Sequence, residues 1–477
     1  MGTSWQNLVV AFDEQGLQSL AISASDAVQS LSRPDGPRSN ITPTQLHDLV
    51  WSIDICPDSG EELSLVLHEL GATVWSNGVA PRDPACVAHL HPPTLIPSVV
   101  TELAIAASNQ SMDSWDQAPA ATELELHLMG WLAQLAGLPS IASGIMTSGG
   151  TASNVLALTL ARSLAGSTQG VDVLKTGLPE VARSWRIVCS DQAHFSVQRA
   201  AAQLGLGRDA VITVATEESG AMSVAELDAA LDELKRAGYR VFAIVATAGT
   251  TDLGVIDPLA EIAERAAREG AWFHIDAAVA GAFLLSPELR GRLSGIEKAD
   301  SITIDFHKLW WQPFNASALV IRDAGLFELL RVKSSYLDRG DEIEGMVNLV
   351  GRSLDTSRRF DAAKVVATLR TLGRLALAEM LESVVALTQY AGDVIEAQPA
   401  LRLIAPPASV MCVFDIPGLG TDDIRAIQQR LLARGDMVLG RTEIHGRAAL
   451  KFTFLNPLTT RADVDRLVAM VLREIPS

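Results

Sequence analysis

Two glycines stand directly before an apolar, helix-like segment and could bind an anion. The segment TSGGTASN at 147–154 contains Gly149 and Gly150 and is followed by VLALTLARS. Because glycine has no side chain, its backbone amide at the start of a helix can approach an anion closely. The helix dipole also favours negative charge there. The pattern predicts a phosphate cradle, although the same two glycines would also suit a tight turn.

A carboxylate and an amine follow two apolar runs that are typical of buried strands. Asp276 lies near the end of WFHIDA, and Lys308 lies two residues after SITIDF. A carboxylate at a buried strand end needs a hydrogen-bond donor or a cation, and a partly desolvated lysine loses its proton more readily and can form an imine. The simpler interpretations are a helix cap for Asp276 and a solvated amine for Lys308, but two tryptophans follow Lys308 where a surface loop would be polar.

A histidine completes this set of residue types. His194, in SDQAHFS just beyond the apolar run RIVCS, could stack on a planar ring or be an ordinary core histidine. In order along the chain, an anion cradle, a histidine, a strand-end carboxylate and a strand-end lysine supply what a planar phosphorylated aldehyde with a basic ring nitrogen requires. The combination predicts a binding site for pyridoxal 5'-phosphate (PLP).

The elements that would position these residues alternate between short apolar runs and amphipathic segments. The apolar runs lie at 186–190, 211–215, 241–246, 272–277, 301–306 and 318–323. A strand, helix, strand repeat of about 30 residues is typical of a parallel sheet covered by helices, and ligands bind beyond the carboxyl ends of its strands. We therefore expect an α/β fold with a mostly parallel central sheet and helices on both faces.

The patterning divides the chain into three expected parts. Residues 1–80 carry helical patterns around a polar loop and predict an N-terminal helical arm. Residues 81–375 would form the large cofactor domain. Residues 376–477, where apolar runs alternate with helical patterns, predict a small C-terminal α+β domain.

Composition argues against several classes of partner. Lys and Arg number 38 against 56 for Asp and Glu, a net charge of −18, so neither a broad basic face nor a nucleic-acid partner is expected. No apolar run approaches the ~20 residues that span a bilayer, and the four cysteines show no spacing of a disulfide framework or a metal site. We expect a soluble, cytoplasmic protein that binds neither a membrane nor a metal.

Several motifs resemble those of the group II PLP-dependent amino-acid decarboxylases and occur in the same order. They are TELELHLMGW, TSGGTASN, SDQAHFSVQRAA, ATAGTTDLGVIDP, HIDAAVAG and DSITIDFHK. The family includes glutamate, aromatic amino-acid, lysine and 2,4-diaminobutyrate decarboxylases. The resemblance implies fold type I and a homodimer with the active site at the subunit interface and the N-terminal arm wrapped on the partner.

Carried over residue by residue, the resemblance implies roles for the cofactor site. Lys308 would be the Schiff-base lysine, Asp276 would pair with the pyridine nitrogen, and His194 would stack over the ring with Ala278 beneath it. The other matching positions lie at the phosphate site or close to the cofactor: Gly150, Thr151, Ala152, Thr247, Asp305 and His307.

Two later matches concern the reaction. Tyr336, in VKSSYLDRGDE, resembles the tyrosine of a mobile loop that supplies a proton after CO2 leaves, and would join Lys308, His194 and Asp276 as a catalytic residue. Arg358, in TSRRFDAAK, matches the arginine that contacts the substrate carboxylate. The simpler interpretations are an exposed loop aromatic and a solvated arginine.

The segments at 88–97 and 109–125 resemble most closely the bacterial lysine and 2,4-diaminobutyrate branch. Asp113 and Asp116 could hold a distal ammonium or cap a local turn, and His89 is a further substrate-binding candidate. We expect decarboxylation of a diamino acid (L-2,4-diaminobutyrate, ornithine or lysine). The alternatives are an acidic or aromatic amino acid, or another fold-type-I reaction such as transamination or elimination.

The chain departs from that branch at two places, where Asp83-Pro84-Ala85-Cys86 and Val279-Ala280 replace polar or aromatic residues of relatives. These departures leave open a smaller, less polar or otherwise atypical substrate.

Overall fold

The computed structural model describes residues 8–332, 345–444 and 446–476 of the 477. The described residues fall into two compact units. The first takes in those of 1–90, 390–404 and 413–477, and the second takes in 91–389 and 405–412.

Twelve strands lie among the described residues. In chain order they are β1 (Cys86–Val87), β2 (Ser143–Thr147), β3 (Trp185–Ser190), β4 (Val211–Val214), β5 (Arg240–Thr247), β6 (Trp272–Asp276), β7 (Ser301–Asp305), β8 (Ser317–Ile321), β9 (Arg402–Leu403), β10 (Met411–Asp415), β11 (Val438–Ile444) and β12 (Arg447–Thr453).

Thirteen α-helices lie in the same part of the chain. They are α1 (Glu14–Ser30), α2 (Pro43–Trp51), α3 (Leu63–Thr73), α4 (Ile96–Ser108), α5 (Pro119–Leu135), α6 (Gly150–Ser167), α7 (Val173–Thr176), α8 (Ser196–Gln203), α9 (Val224–Arg236), α10 (Leu259–Glu269), α11 (Ala362–Glu396), α12 (Thr421–Ala433) and α13 (Arg461–Arg473).

The second unit is built on a seven-stranded sheet in the order β2-β8-β7-β6-β5-β3-β4. The five strands from β7 to β4 run parallel to one another, and β8 and β2 pair antiparallel at the other edge. All six apolar runs predicted as strands form strands of this sheet. The predicted α/β fold with a mostly parallel sheet is confirmed.

Helices pack against this sheet for reasons visible in their sequences. On α9, Leu227, Leu231 and Leu234 are buried at helical spacing, and the Ser223 side chain accepts a hydrogen bond from the first turn. Helix α10 ends at Gly270 with φ +62°, the left-handed conformation that glycine adopts without strain. Helix α6 packs on β5, β6, β7 and β8, and Gly150 in its first turn lies beside Asp305 at the end of β7.

The strand register brings the predicted polar residues to one edge of the sheet. Thr247 at the end of β5 lies opposite Asp276 at the end of β6, and Asp276 lies opposite Thr303 of β7. Asp305 ends β7. Because these strands are parallel, their carboxyl ends meet at one edge, where ligands bind in such sheets.

The first unit contains α1, α2 and α3 and a sheet in the order β1-β11-β12-β10-β9. Strand β1 pairs parallel with β11, with Cys86 opposite Val438. This pairing joins the segment before residue 90 to the C-terminal part of the chain in one unit. The two units therefore differ from the three parts expected from the sequence. The boundary at Tyr390 falls inside α11, where no change in composition marks it. The role of residues 1–80 as an arm that wraps on a partner stays a prediction.

Among the residues that the structure describes, no helix is long and apolar enough to cross a membrane. Within the same ranges, no cluster of three or more His, Cys, Asp or Glu side chains is arranged to hold a metal ion.

Candidate active site

A cavity of about 580 Å³ opens at the carboxyl ends of β5, β6 and β7, beside the first turn of α6. Its lining includes every residue that the sequence predicts for the cofactor, namely Gly150, Thr151, Ala152, His194, Thr247, Asp276, Ala278, Asp305, His307 and Lys308. The structure therefore brings together residues that lie up to 158 positions apart in the chain, from Gly150 to Lys308.

Asp276 is buried at the end of β6, and hydrogen bonds hold both of its carboxylate oxygens. Oδ2 accepts from Asn154 Nδ2 at 2.7 Å, and Oδ1 accepts from the backbone N of Ala278 at 3.1 Å. The bond from Ala278 is a local turn contact of the kind that a helix cap makes. The bond from Asn154 instead joins β6 to helix α6. A carboxylate held in this way keeps its orientation and retains lone pairs for a further donor in the cavity.

Lys308 lies in the connection between β7 and β8 and pairs with Asp305. The distance from Nζ to Asp305 Oδ2 is 2.8 Å, and the hydroxyl of Ser317 donates to Oδ1 of the same carboxylate. Asp305 is buried, whereas one fifth of the Lys308 side chain is exposed to the cavity side. His307 lies beside the pair, and burial lowers the pKa of its imidazole.

His194 follows β3 and precedes α8, where it lines the cavity. Its Nδ1 lies 2.8 Å from Ser196 Oγ, and its ring centroid lies 4.3 Å from that of Phe195. Burial lowers the pKa of the imidazole, which favours the neutral ring.

The start of α6 has the form predicted for an anion cradle. Gly149 precedes the helix with φ +150°, which L side chains rarely adopt. A Cβ added at Gly150 would lie 3.0 Å from Asp305 Oδ2 and 3.3 Å from Ala278 Cβ, so a side chain there would crowd the cavity wall. The first backbone amides of a helix have no partner within the helix and remain available to an anion.

One buried polar atom of the lining lacks a partner. Thr247 Oγ1 is buried and makes no hydrogen bond to any residue in the described ranges. A buried hydroxyl left unpaired is costly, and a polar ligand atom in the cavity would satisfy it. Together with the amide cradle, the Asp276 carboxylate and the Lys308 amine, this orphaned hydroxyl makes the lining fit PLP.

The residues predicted to bind the substrate do not line the described part of this cavity. Arg358 and Asp116 belong to the same unit but not to the described lining of the cavity, and His89 belongs to the first unit. Asp116 is exposed and accepts a hydrogen bond from Ser114. This is a local turn contact, the alternative to substrate binding that the sequence left open. Tyr336 lies outside the described residues.

Arg358 is buried in an ion pair with Glu125. Nη2 lies 2.7 Å from Oε1 and 2.8 Å from Oε2, and Glu125 also accepts from the backbone N of Met146 at 2.9 Å. The carboxylate of Glu125 is fully buried; burial raises its pKa, and the guanidinium of Arg358 opposes that shift. The charge of Arg358 is thus balanced within the chain, and its contact with the substrate carboxylate stays a prediction.

Three residues that the structure makes prominent could not be singled out from the sequence. Asn154 and Glu125 lie inside the quoted motifs TSGGTASN and TELELHLMGW, and a polar residue on a buried helix face was the available signal. Asp355 is an exposed carboxylate in the cavity lining, next to the motif TSRRFDAAK, and nothing in its spacing distinguished it.

Known proteins match this chain along most of its length. The pyridoxal-dependent decarboxylase conserved domain matches residues 51–416. The L-2,4-diaminobutyrate decarboxylase of Acinetobacter baumannii is 39% identical over 82% of this chain and 80% of its own length. The enzyme of the same name from Rhizobium meliloti (strain 1021) is 39% identical over 89% of this chain and 84% of its own.

A solved structure agrees with these matches. The glutamate decarboxylase domain of the diaminobutyrate-pyruvate transaminase and L-2,4-diaminobutyrate decarboxylase from Vibrio parahaemolyticus superposes with a TM-score of 0.90. It is 36% identical and covers 98% of each chain. The predicted fold type I, the PLP cofactor and the assignment as a carboxy-lyase acting on an amino acid are confirmed. This chain belongs to the pyridoxal-dependent decarboxylase family.

Proposed function

We propose that this enzyme decarboxylates a diamino acid, with L-2,4-diaminobutyrate as the preferred substrate. The observation that carries the proposal is the 39% identity to two relatives named L-2,4-diaminobutyrate decarboxylase. The products would be 1,3-diaminopropane and CO2.

The residues of the cavity support a division of roles. When bound, PLP supplies a conjugated ring that accepts the electron pair of the bond between Cα and the carboxylate. Lys308 Nζ would hold the cofactor's aldehyde carbon, and the carboxylate of Asp276 would hold a proton at its ring nitrogen. The amides at the start of α6 would bind its phosphate, and His194 would cover its ring.

We further propose that Tyr336 provides the proton that replaces CO2 on Cα, as its resemblance to the loop tyrosine of relatives implies. Glu125 holds both Nη atoms of Arg358, so a substrate carboxylate would have to bind at Nε, which has no partner among the described residues, or take part of the guanidinium from Glu125.

The distal ammonium of a diamino acid needs a carboxylate that is not already engaged. In the cavity lining, Asp276 accepts from Asn154 and Asp305 pairs with Lys308. Asp355 also lines the cavity, and no described residue donates to its carboxylate. This makes Asp355 a further candidate for the ammonium, beside the Asp113 and Asp116 predicted from the sequence.

We also propose a cytoplasmic homodimer. Helix α1 exposes Leu17, Ile22 and Val28 by 45%, 57% and 65%, and apolar side chains so exposed suit an interface. All four cysteines are described and none forms a disulfide, in agreement with a reducing compartment. Sedimentation of the purified protein tests the dimer.

The reaction and the substrate can be tested in one screen. The PLP-loaded enzyme is incubated with L-2,4-diaminobutyrate, ornithine, lysine, glutamate, aspartate and aromatic amino acids, and amines, CO2 and keto acids are measured. We expect CO2 and an amine in equal amounts, with the highest kcat/KM for L-2,4-diaminobutyrate. A keto acid in place of CO2 would contradict decarboxylation, and a preference for an acidic or aromatic amino acid would contradict the diamino substrate.

A further inference from the structure

A continuous line of buried hydrogen bonds connects the Asp276 carboxylate to the His194 imidazole. Its members come from β6, β7, α6 and the start of α8, and all except His194 are buried: Trp272, His274, Asp276, Ser301, Thr303, Asn154, Ser196 and His194. Asn154 stands at its centre, because it contacts the side chains of Asp276, His274, Thr303 and Ser196.

The Asp276 carboxylate determines which way the Asn154 amide points. An ionised carboxylate only accepts hydrogen bonds, so the atom 2.7 Å from Asp276 Oδ2 must be Nδ2 of Asn154. The second hydrogen of Nδ2 is donated to Ser196 Oγ at 2.9 Å. Oδ1 then faces Thr303 Oγ1 at 2.8 Å and His274 Nε2 at 3.0 Å, so all four hydrogen-bonding positions of the amide are used.

This orientation determines the state of His274. Because Asn154 Oδ1 is an acceptor, His274 Nε2 carries the hydrogen, and its Nδ1 accepts from Ser301 Oγ at 2.8 Å. Ser301 Oγ in turn accepts from Trp272 Nε1 at 2.7 Å. Burial lowers the pKa of His274 to about 4, which agrees with a neutral ring that donates at one nitrogen and accepts at the other.

The same orientation reaches His194 through Ser196. Since Ser196 Oγ accepts from Asn154, its own hydrogen is free to bond His194 Nδ1 at 2.8 Å. The backbone N of Ser196 also donates to this Nδ1, at 3.3 Å. With two donors directed at Nδ1, a neutral His194 carries its hydrogen on Nε2, the nitrogen that takes no part in the network.

We propose that Asn154 and Ser196 are positioning residues that couple Asp276 to His194. Asn154 orients the carboxylate, and Ser196 sets the tautomer of the imidazole, so the two groups that face the cofactor are ordered by one network. The proposal rests on the proposed function only for the roles of Asp276 and His194 toward PLP.

The coupling can be tested on the cofactor-free protein by 15N NMR of its histidine rings, with His194 identified by its loss in His194→Gln. In the wild type we expect a neutral His194 with the hydrogen on Nε2. Ser196→Ala removes the hydroxyl donor at 2.8 Å and leaves only the longer backbone contact at 3.3 Å, so the 15N shifts of both ring nitrogens should move toward those of a tautomer mixture. Ser163→Ala, which removes a buried hydroxyl without a described partner on α6, is the matched control and should change neither. Unchanged His194 shifts in Ser196→Ala would overturn the proposal.

A PLP titration followed by fluorescence tests the other half of the network. Asn154→Asp keeps the shape of the side chain but places a second acceptor against Asp276, so we expect the Kd for PLP to rise at least tenfold, whereas Ser163→Ala should bind as the wild type does. A wild-type Kd in a folded Asn154→Asp variant would refute the orienting role. If Asn154→Asp does not fold, Thr303→Val, which removes one donor to Asn154 Oδ1, replaces it with an expected rise of about threefold, and an unchanged Kd there refutes it equally.

These readouts separate the two proposals. If the wild type releases no amine from any amino acid while the His194 shifts move as expected in Ser196→Ala, the proposed function fails and the network stands. If the wild type is active and those shifts do not move, the function stands and the network fails.

Discussion

The cofactor half and the substrate half of the candidate site are built differently. Residues assigned to PLP lie at the ends of neighbouring strands and at a helix start, and all of them line one cavity. Of the residues assigned to the substrate, Arg358 is engaged by a buried glutamate, Asp116 is exposed at a turn and His89 belongs to the other unit. Strand ends of a parallel sheet converge whatever the loops do, whereas residues on connecting segments depend on how those segments pack.

Replacing the cavity lysine should have the largest effect. Lys308→Ala removes the amine that would hold PLP, and we expect amine production to fall by more than about 10³-fold. Borohydride reduction should attach PLP to the wild type and not to the variant, as read by peptide mass. Lys298→Ala, at an exposed lysine, is the control and should keep full activity. If Lys308→Ala kept a tenth of the activity, Lys308 would not be the residue that holds PLP.

Breaking the buried ion pair should mainly change stability. Glu125→Gln leaves the Arg358 charge without its partner, and we expect the free energy of unfolding to fall by about 3–5 kcal/mol, measured by urea denaturation of the cofactor-free protein. The side chain of Asp228 is one third exposed and pairs with Arg265 and Arg268, so Asp228→Asn should cost less than about 1 kcal/mol.

Arg358→Lys then separates structure from substrate binding. If Arg358 mainly neutralises Glu125, this variant should lose stability with little change in KM. A raised KM in a variant of normal stability would instead indicate that Arg358 contacts the substrate, and its side chain would then belong to the active site together with the cofactor residues.

A buried carboxylate that binds the backbone of Thr247, behind the cavity lining, should make stability depend on pH. Asp257 is buried and accepts from the backbone N of Thr247 at 2.7 Å and of Met222 at 2.8 Å, and burial raises its pKa from 3.8 to about 6. The folded state therefore binds the proton more tightly than the unfolded state.

The sign of that dependence follows from the raised pKa. The contribution of Asp257 is fully present below pH 3.8 and is lost as pH rises through about 6. The loss is on the order of 3 kcal/mol. Urea denaturation of the wild type and Asp257→Asn across this range should show a steeper fall in the wild type; parallel curves would contradict it.

The smallest expected effect concerns the distal ammonium. If Asp355 binds it, Asp355→Asn should raise the KM for L-2,4-diaminobutyrate about fivefold, which is about 1 kcal/mol for a solvent-exposed charge pair. Asp116→Asn is the matched comparison, since its carboxylate lies outside the described lining. A raised KM in Asp116→Asn alone would assign the ammonium to Asp116 instead of Asp355. An unchanged KM in both variants would show that neither carboxylate binds it.

The cofactor half could be predicted from the sequence because its signals lie within short segments of the chain. Apolar runs predicted β6 and β7, and the residues at their ends, Asp276 and Asp305, converge in any parallel sheet. The partners of these residues could not be found in that way. Asn154 lies 122 residues from Asp276, and Glu125 lies 233 residues from Arg358, so no local pattern connects them.

By itself, the sequence determined the α/β class, the strand ends that carry Asp276 and Asp305, and the glycine start of α6, because periodicity and backbone freedom act over a few residues. Only the tertiary structure decided that Asn154 orients Asp276, that Glu125 engages Arg358 and that β1 pairs with β11. Those outcomes depend on which buried polar groups meet when distant segments pack, and each buried donor or acceptor must then find a partner.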